Sequence, residues 1–349
     1  MRSVLTLIAA LAMMTTAAQA REVIDMIGRK VTLPDRVERV ACLEVLCYPK
    51  LFMLGADDRI VAMGLTAAPW AAATNPRYDT LPILHGEGNV EELIARKADV
   101  AFLRDASGQQ LAKLTSLGIP AIVAQPNHPP ANSPQAFIDD AKAMVRLTGQ
   151  VLGGEAETRA EDWCAYFDQR VRFVTERVAR IPADRRIRVY YVRGPEALST
   201  QGKDGYTTWA GQLAGANMVV TDTPFAGKGF VSMEDIVRWN PEVVLVGRQY
   251  PLEVVQKDPR WKNIAAVKSG RVQATPEGVF YWDGGPEQVL LIQFIAKLLY
   301  PDLFQDLDMA SEVKGYYARF YRAALSDDDV AKLLEGRSPD GSRRNPMNN

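Results

Sequence analysis

Histidine is nearly missing from this 349-residue chain, which has only His85 and His128. A naked zinc or manganese site draws several His or carboxylate ligands to one point, so a histidine cluster is excluded. One histidine with Glu44 or a tyrosine could still hold iron or haem iron. Cysteine is scarce too, at Cys42, Cys47 and Cys164. Cys42 and Cys47 stand close, but spacing does not establish bridge geometry, and a small apolar role in the core stays open for all three. Charge of one sign never accumulates: 41 Lys and Arg stand against 42 Asp and Glu. That removes the basic runs by which chains bind nucleic acid or anionic lipid. Enzyme signatures are missing as well. There is no G-x-S-x-G, no H-E-x-x-H and no G-x-x-x-x-G-K-[ST], and Gly202-Lys203-Asp204-Gly205 reads as a turn. Carboxylate pairs stay open in a chain with 42 acids.

The ends differ from the bulk. Residues 1–20 open with Arg2, continue through the mostly apolar Val4–Met14 and close on Ala18-Gln19-Ala20. That is the grammar of a secretory signal peptide, and the apolar run is too short to span a bilayer. No Cys follows Ala20, so no lipid attachment point is expected, and the remainder reads as an exported, soluble chain. The tail, residues 337–349, is polar, rich in turn-formers and predicted to be disordered.

The organising stretch is Ser133–Ile181. Ser133-Pro134 is a helix cap followed by the proline that suits a first helical position. Phe137, Ala141, Met144 and Thr148 recur at helical spacing before Gly149, Gly153 and Gly154 interrupt. Trp163, Phe167, Val171, Val174 and Val178 then carry a second helix to Ile181-Pro182, about 40 Å of rod at 1.5 Å per residue. On either side, short apolar runs alternate with helical patterns, which predicts parallel sheets with crossover helices. The expected architecture is α/β: two Rossmann-like lobes with mainly parallel sheets, at residues 21–132 and 182–336, joined by a single long backbone helix within 133–181.

A short repeat links the halves. Glu91 opens a helix that leads to Asp99 and a hydrophobic strand, and Glu234 does the same ahead of Glu242. These two motifs, together with Val23–Pro34, Arg39–Leu43 and Leu54–Val61, resemble the periplasmic substrate-binding proteins of ABC importers for ferric siderophores, haem and cobalamin. The resemblance covers nearly all of the chain beyond residue 20. It implies a periplasmic monomer with a shallow ligand cleft between the lobes and little hinge motion. It also implies that Glu91 and Glu234 dock onto arginines of a membrane permease dimer that works with ATPase subunits. It implies no permanent cofactor and a transported chelate, a ferric siderophore first, with cobalamin, haem or a molybdate-type oxyanion as alternatives. An exported enzyme or a ligand sensor is the rival class.

Residues just past strand ends supply the candidate ligand contacts. In the first lobe these are Glu44, Tyr48, Trp70, His85 and Arg104. In the second they are Arg193, Tyr206, Trp209, Lys228, Arg248, Tyr250, Tyr281 and Trp282. Aromatic walls with Arg and Lys suit a bulky anionic iron complex. Plainer roles are open to several: Trp209 as helix core, Glu44 as a helix cap, Arg248 as a solvated loop charge.

Overall fold

The computed structural model describes residues 21–343 except 65, 67, 85–89, 105 and 126–130. The signal-peptide reading of residues 1–20, His85 and His128 therefore lie outside the described residues.

The first lobe opens with an antiparallel hairpin, β1 (Arg21–Ile24) and β2 (Lys30–Leu33). It continues through β3 (Val40–Cys42), α1 (Cys47–Leu54), β4 (Ile60–Gly64), α2 (Ala71–Thr74) and β5 (Ile83–Leu84). α3 (Val90–Ala95), β6 (Val100–Leu103), α4 (Gly108–Ser116) and β7 (Ala121–Val123) complete it. Its sheet runs β5-β4-β3-β6-β7, all parallel. The all-apolar Val100-Ala-Phe-Leu run is buried at every position, as a parallel strand covered on both faces requires. Gly55, at φ 78°, ends α1 in the left-handed conformation and returns its N–H to the last carbonyls. Cys42 and Cys47 form a disulfide between the end of β3 and the start of α1, while Cys164 is free and buried.

Two helices follow. In α5 (Pro134–Leu152) the Ser133 hydroxyl accepts from the Ala136 N–H, the cap that Ser133-Pro134 predicts. α6 (Glu155–Val178) ends three residues short of Ile181. The Gly153-Gly154 break turns α6 back along α5. Lys142–Asp168 at 2.8 Å and Arg146–Glu161 at 2.7 Å tie the antiparallel pair. The rod is thus α6 alone, about 36 Å long by its rise, with α5 doubled against it. Ala156, Ala160, Trp163, Phe167, Val171, Val174 and Val178 form one buried stripe along it.

The second lobe holds β8 (Arg188–Val192), β9 (Ser199–Gln201), α7 (Tyr206–Leu213), β10 (Asn217–Met218), β11 (Lys228–Phe230) and α8 (Met233–Trp239). β12 (Val243–Val246), α9 (Glu253–Gln256), α10 (Ala265–Lys268) and β13 (Val272–Ala274) follow, then α11 (Gln288–Leu299), α12 (Met309–Tyr316) and α13 (Asp327–Leu334). The parallel sheet is β10-β8-β12-β13, with β9 and β11 as a separate antiparallel ribbon. α6 packs against α1 of the first lobe and against α7 and α11 of the second.

The tail departs from expectation. Gly336 lies against Thr275, the Arg337 carbonyl accepts from Trp70 Nε1 at 2.9 Å, and buried Ser338 accepts from Gln249 at 3.1 Å. The tail is thus docked across both lobes at Arg337 and Ser338, because a backbone carbonyl and a side-chain hydroxyl there satisfy donors that would otherwise go unmet. Among the described residues no helix is long and apolar enough to cross a membrane.

Candidate ligand cleft

The strand order of each sheet reverses at one place, between β3 and β6 in the first lobe and between β8 and β12 in the second. Chain leaving neighbouring strands at such a switch point diverges and leaves a crevice. Both crevices open on one cleft of about 510 Å³. The segment after β3 brings Val45 and Leu46, and the residue after β6 is Arg104. Arg193 follows β8 and Arg248 follows β12. Gln201 and Lys228 come from the β9–β11 ribbon, and Tyr206 opens α7.

Asp283 organises the floor. Its buried carboxylate accepts from Arg193 Nε at 2.6 Å, and from Arg248 Nε at 3.0 Å and Nη2 at 2.8 Å. Burial alone would raise its pKa, but the two guanidiniums outweigh that and hold it at about 2. Arg248 and Gln249 both take left-handed backbone, at φ 55° and 57°, which is strained for side chains with a Cβ. That turn folds the Arg248 fork back onto Asp283 and over Tyr281, whose ring centre lies 4.6 Å from the guanidinium carbon. A second buried acid, Glu277, has its pKa driven well above the usual carboxylate range by burial and then by Asp283. Arg104, Arg193, Lys228 and Arg248 then face Asp204 and Asp283, a surplus of two positive charges. Leu46, which caps the start of α1, and Tyr206, the first residue of α7, line the cleft, so the positive ends of both helix dipoles point toward it. The arrangement suits an anion.

Of the sequence candidates, Arg104, Arg193, Tyr206, Lys228 and Arg248 come together here. The others do different work. Glu44 is buried, accepts from the Leu46 N–H ahead of α1 and pairs with buried Lys50 at 3.0 Å. Tyr48 donates across the lobes to the Val279 carbonyl at 2.5 Å. Trp70 is fully buried and takes the tail carbonyl. Trp209 is core and donates to Ala131 at 2.9 Å, and Trp282 is core. Tyr250 and Tyr281 are half-buried outside the cleft lining, with Tyr281 beneath Arg248. Large aromatics bury because their area is worth most there, so three of the seven expected aromatic walls, Tyr48, Trp70 and Trp209, became fasteners between the lobes. Leu46, Gln125, Gln201, Phe280 and Asp283 were not anticipated. Only Gln125, directly after the predicted strand at 121–124, carried a signal of the kind used for the others.

Among the described residues no group of three or more His, Cys, Asp and Glu is placed to hold a metal ion. Glu91 and Glu234 are exposed, one on each lobe, at the first turns of α3 and α8.

A model of the periplasmic binding protein family matches residues 40–278. The chain belongs to that family. The molybdate-binding protein MolA of Haemophilus influenzae is 29% identical over 344 residues, covering 91% of this chain and 95% of its own. A solved structure of MolA bound to molybdate superposes with a TM-score of 0.78 at 26% identity, covering 88% of this chain and 99% of MolA. A periplasmic solute-binding protein from Veillonella parvula gives the same TM-score at 23% identity, over 90% of this chain and 97% of the other. An uncharacterised ABC transporter substrate-binding lipoprotein of Bacillus subtilis, YvrC, is 25% identical over 290 residues, 81% of this chain and 86% of its own. The two lobes joined through a long helix are the architecture this family shares with its solved members.

Proposed function

We propose that this periplasmic binding protein captures a small oxyanion of the molybdate type and delivers it to the permease of an ABC importer. The observation that carries the reading is the Arg193–Asp283–Arg248 clamp. One buried carboxylate fixes two guanidiniums, which line the cleft with Arg104 and Lys228 in net positive surroundings. Pre-set donors lose little entropy when an anion arrives. The kinship with a molybdate-binding protein over almost the whole chain supports the same choice. A ferric siderophore stands second, and the size of the cleft favours it. A four-oxygen anion fills roughly 100 Å³, taking each oxygen as about one water, while the cleft offers about 510 Å³ with Phe280, Tyr206 and Leu46 around it. In either case Glu91 and Glu234 are the permease contacts, each offering a carboxylate to an arginine of one permease subunit.

Calorimetric titration of the purified chain with molybdate, tungstate, sulfate, phosphate, ferric chelates, haem and cobalamin decides between the readings. The expected result is saturable binding of molybdate or tungstate, weakened at least ~10-fold by Arg248→Ala, which corresponds to about 1.4 kcal/mol. Binding of a ferric chelate without any oxyanion would move the assignment to the second reading. Binding of none of these would remove both. The docking role is read separately: charge reversal at Glu91 and Glu234 together should abolish stimulation of the transporter ATPase.

A further inference from the structure

α3 and α8 are two copies of one device, and the match extends past the sequence. In register with Glu91 and Glu234, Leu93 and Ile236 are both 0% exposed. Lys97 and Asn240 both stop the helix with left-handed backbone, at φ 52° and 44°. Asp99 and Glu242 then each accept a backbone N–H at the start of a neighbouring strand, from Arg39 just ahead of β3 at 2.9 Å and from Arg188, the first residue of β8, at 3.0 Å. In parallel crossovers the helix runs opposite to its strands, so both helices begin at the sheet edge where strands end. That edge carries the cleft, so both copies begin on the cleft side of their sheets.

Three residues after each glutamate, and so on the same helix face, stands an exposed aliphatic side chain: Ile94 at 47% and Val237 at 59%. One exposed aliphatic needs no explanation. The same kind of residue at the same register of both lobes does, because the core of each lobe is closed by Leu93 or Ile236 without it. Duplicated acid-plus-aliphatic signatures fit a partner that offers one basic, partly apolar surface twice.

We propose that Ile94 and Val237 are the apolar half of a duplicated docking footprint, each seated on one subunit of a two-fold permease beside the Glu91 or Glu234 contact. This rests on the permease-docking reading above. An exposed acid facing a guanidinium is weak in water because the solvent screens it. An aliphatic side chain packed next to it excludes that water and strengthens the pair, as neutral residues do around interface anchors.

The test uses the full chain with its cognate permease–ATPase complex in liposomes, measuring ATPase stimulation against binding-protein concentration. The I94S/V237S double variant should raise the half-maximal concentration ~10-fold or more, with ligand affinity and melting temperature as in the parent. I94L/V237I should behave like the parent. Parental stimulation by I94S/V237S, with stimulation lost in E91K/E234K, overturns the apolar role and leaves acid docking standing. Parental stimulation by both double variants removes the docking reading itself, and this inference with it.

Discussion

Asp283 and Glu287 show how the same side-chain chemistry is set to opposite ends of the pH scale by its neighbours. Glu287 is fully buried and accepts from the Val279 and Phe280 N–H groups at 3.0 Å and from the Tyr317 hydroxyl at 2.5 Å. Burial outweighs these bonds and raises its pKa from 4.5 to about 7. The folded state therefore keeps a proton that the unfolded chain releases. The stability this confers is complete below pH 4.5 and fades as pH rises through about 7. The loss is roughly 3 kcal/mol. Urea unfolding at steps from pH 4.5 to 8 should show this slope in the parent, and Glu287→Gln should flatten it; an equal slope in both proteins counts against the assignment. Asp283 has the opposite sign: held at about 2 against 3.8, its contribution of roughly 2 kcal/mol is present above pH 4 and disappears only as pH falls through 2. Asp283→Ala should therefore destabilise the protein at neutral pH by about 3 kcal/mol, because Arg193 and Arg248 lose their counter-charge while still mostly buried. Chemical denaturation of that variant measures it, and a change below ~1 kcal/mol would argue that the arginines find solvent instead.

At the scale of elements, the contact between α5 and α6 depends on a position with no side chain. A Cβ on Gly149 would lie 2.7 Å from Ala160 Cβ and 3.0 Å from the Ala156 carbonyl, both fixed by helix backbone. Gly149→Val should cost about 3 kcal/mol through overpacking, readable as a lower urea midpoint at unchanged slope. The docked tail is the second element with a measurable role. It satisfies Trp70 Nε1 and Gln249 Nε2 and lies behind the Arg248–Gln249 turn. Ending the chain after Gly336 should lower stability by about 2 kcal/mol, since two buried donors lose their partners. It should also weaken ligand binding by loosening Arg248. Unfolding and titration of the truncated chain check both, and parental values in both would show the tail to be passive. The periodicity that announced α5 and α6 was legible because one buried stripe repeats along each. β10 and the β9–β11 ribbon were not, since strands of two or three residues carry too little alternation to stand out.

For the whole molecule, the question is whether the lobes move. Tyr48 to Val279, the Trp70 backbone N–H to Gly278, and Trp209 to Ala131 are hydrogen bonds that cross between lobes or tie a lobe to the strut, with α6 packed on both. Opening would break these bonds and expose buried aromatics, so closure by a wide hinge is disfavoured. Small-angle scattering should give a radius of gyration near ~20 Å that shifts by less than ~1 Å when ligand is added. A larger contraction would show the rivets to be weaker than their burial implies.

Local signals were sufficient to specify the two α/β halves, the helix cap at Ser133, the glycine break, and the repeat around Glu91 and Glu234. Each depends on neighbours in sequence: hydrophobic period, capping chemistry, turn residues. The cleft chemistry depends on residues far apart in the chain. Arg193, Arg248 and Asp283 meet across 90 positions, and whether an aromatic lines a wall or rivets two lobes is decided by what packs against it. Folding alone settled the Cys42–Cys47 bridge, the removal of Glu44, Tyr48 and Trp70 from the cleft, and the raised pKa of Glu277. The reason is that burial and pairing, which set these states, are properties of the assembled neighbourhood rather than of the residue.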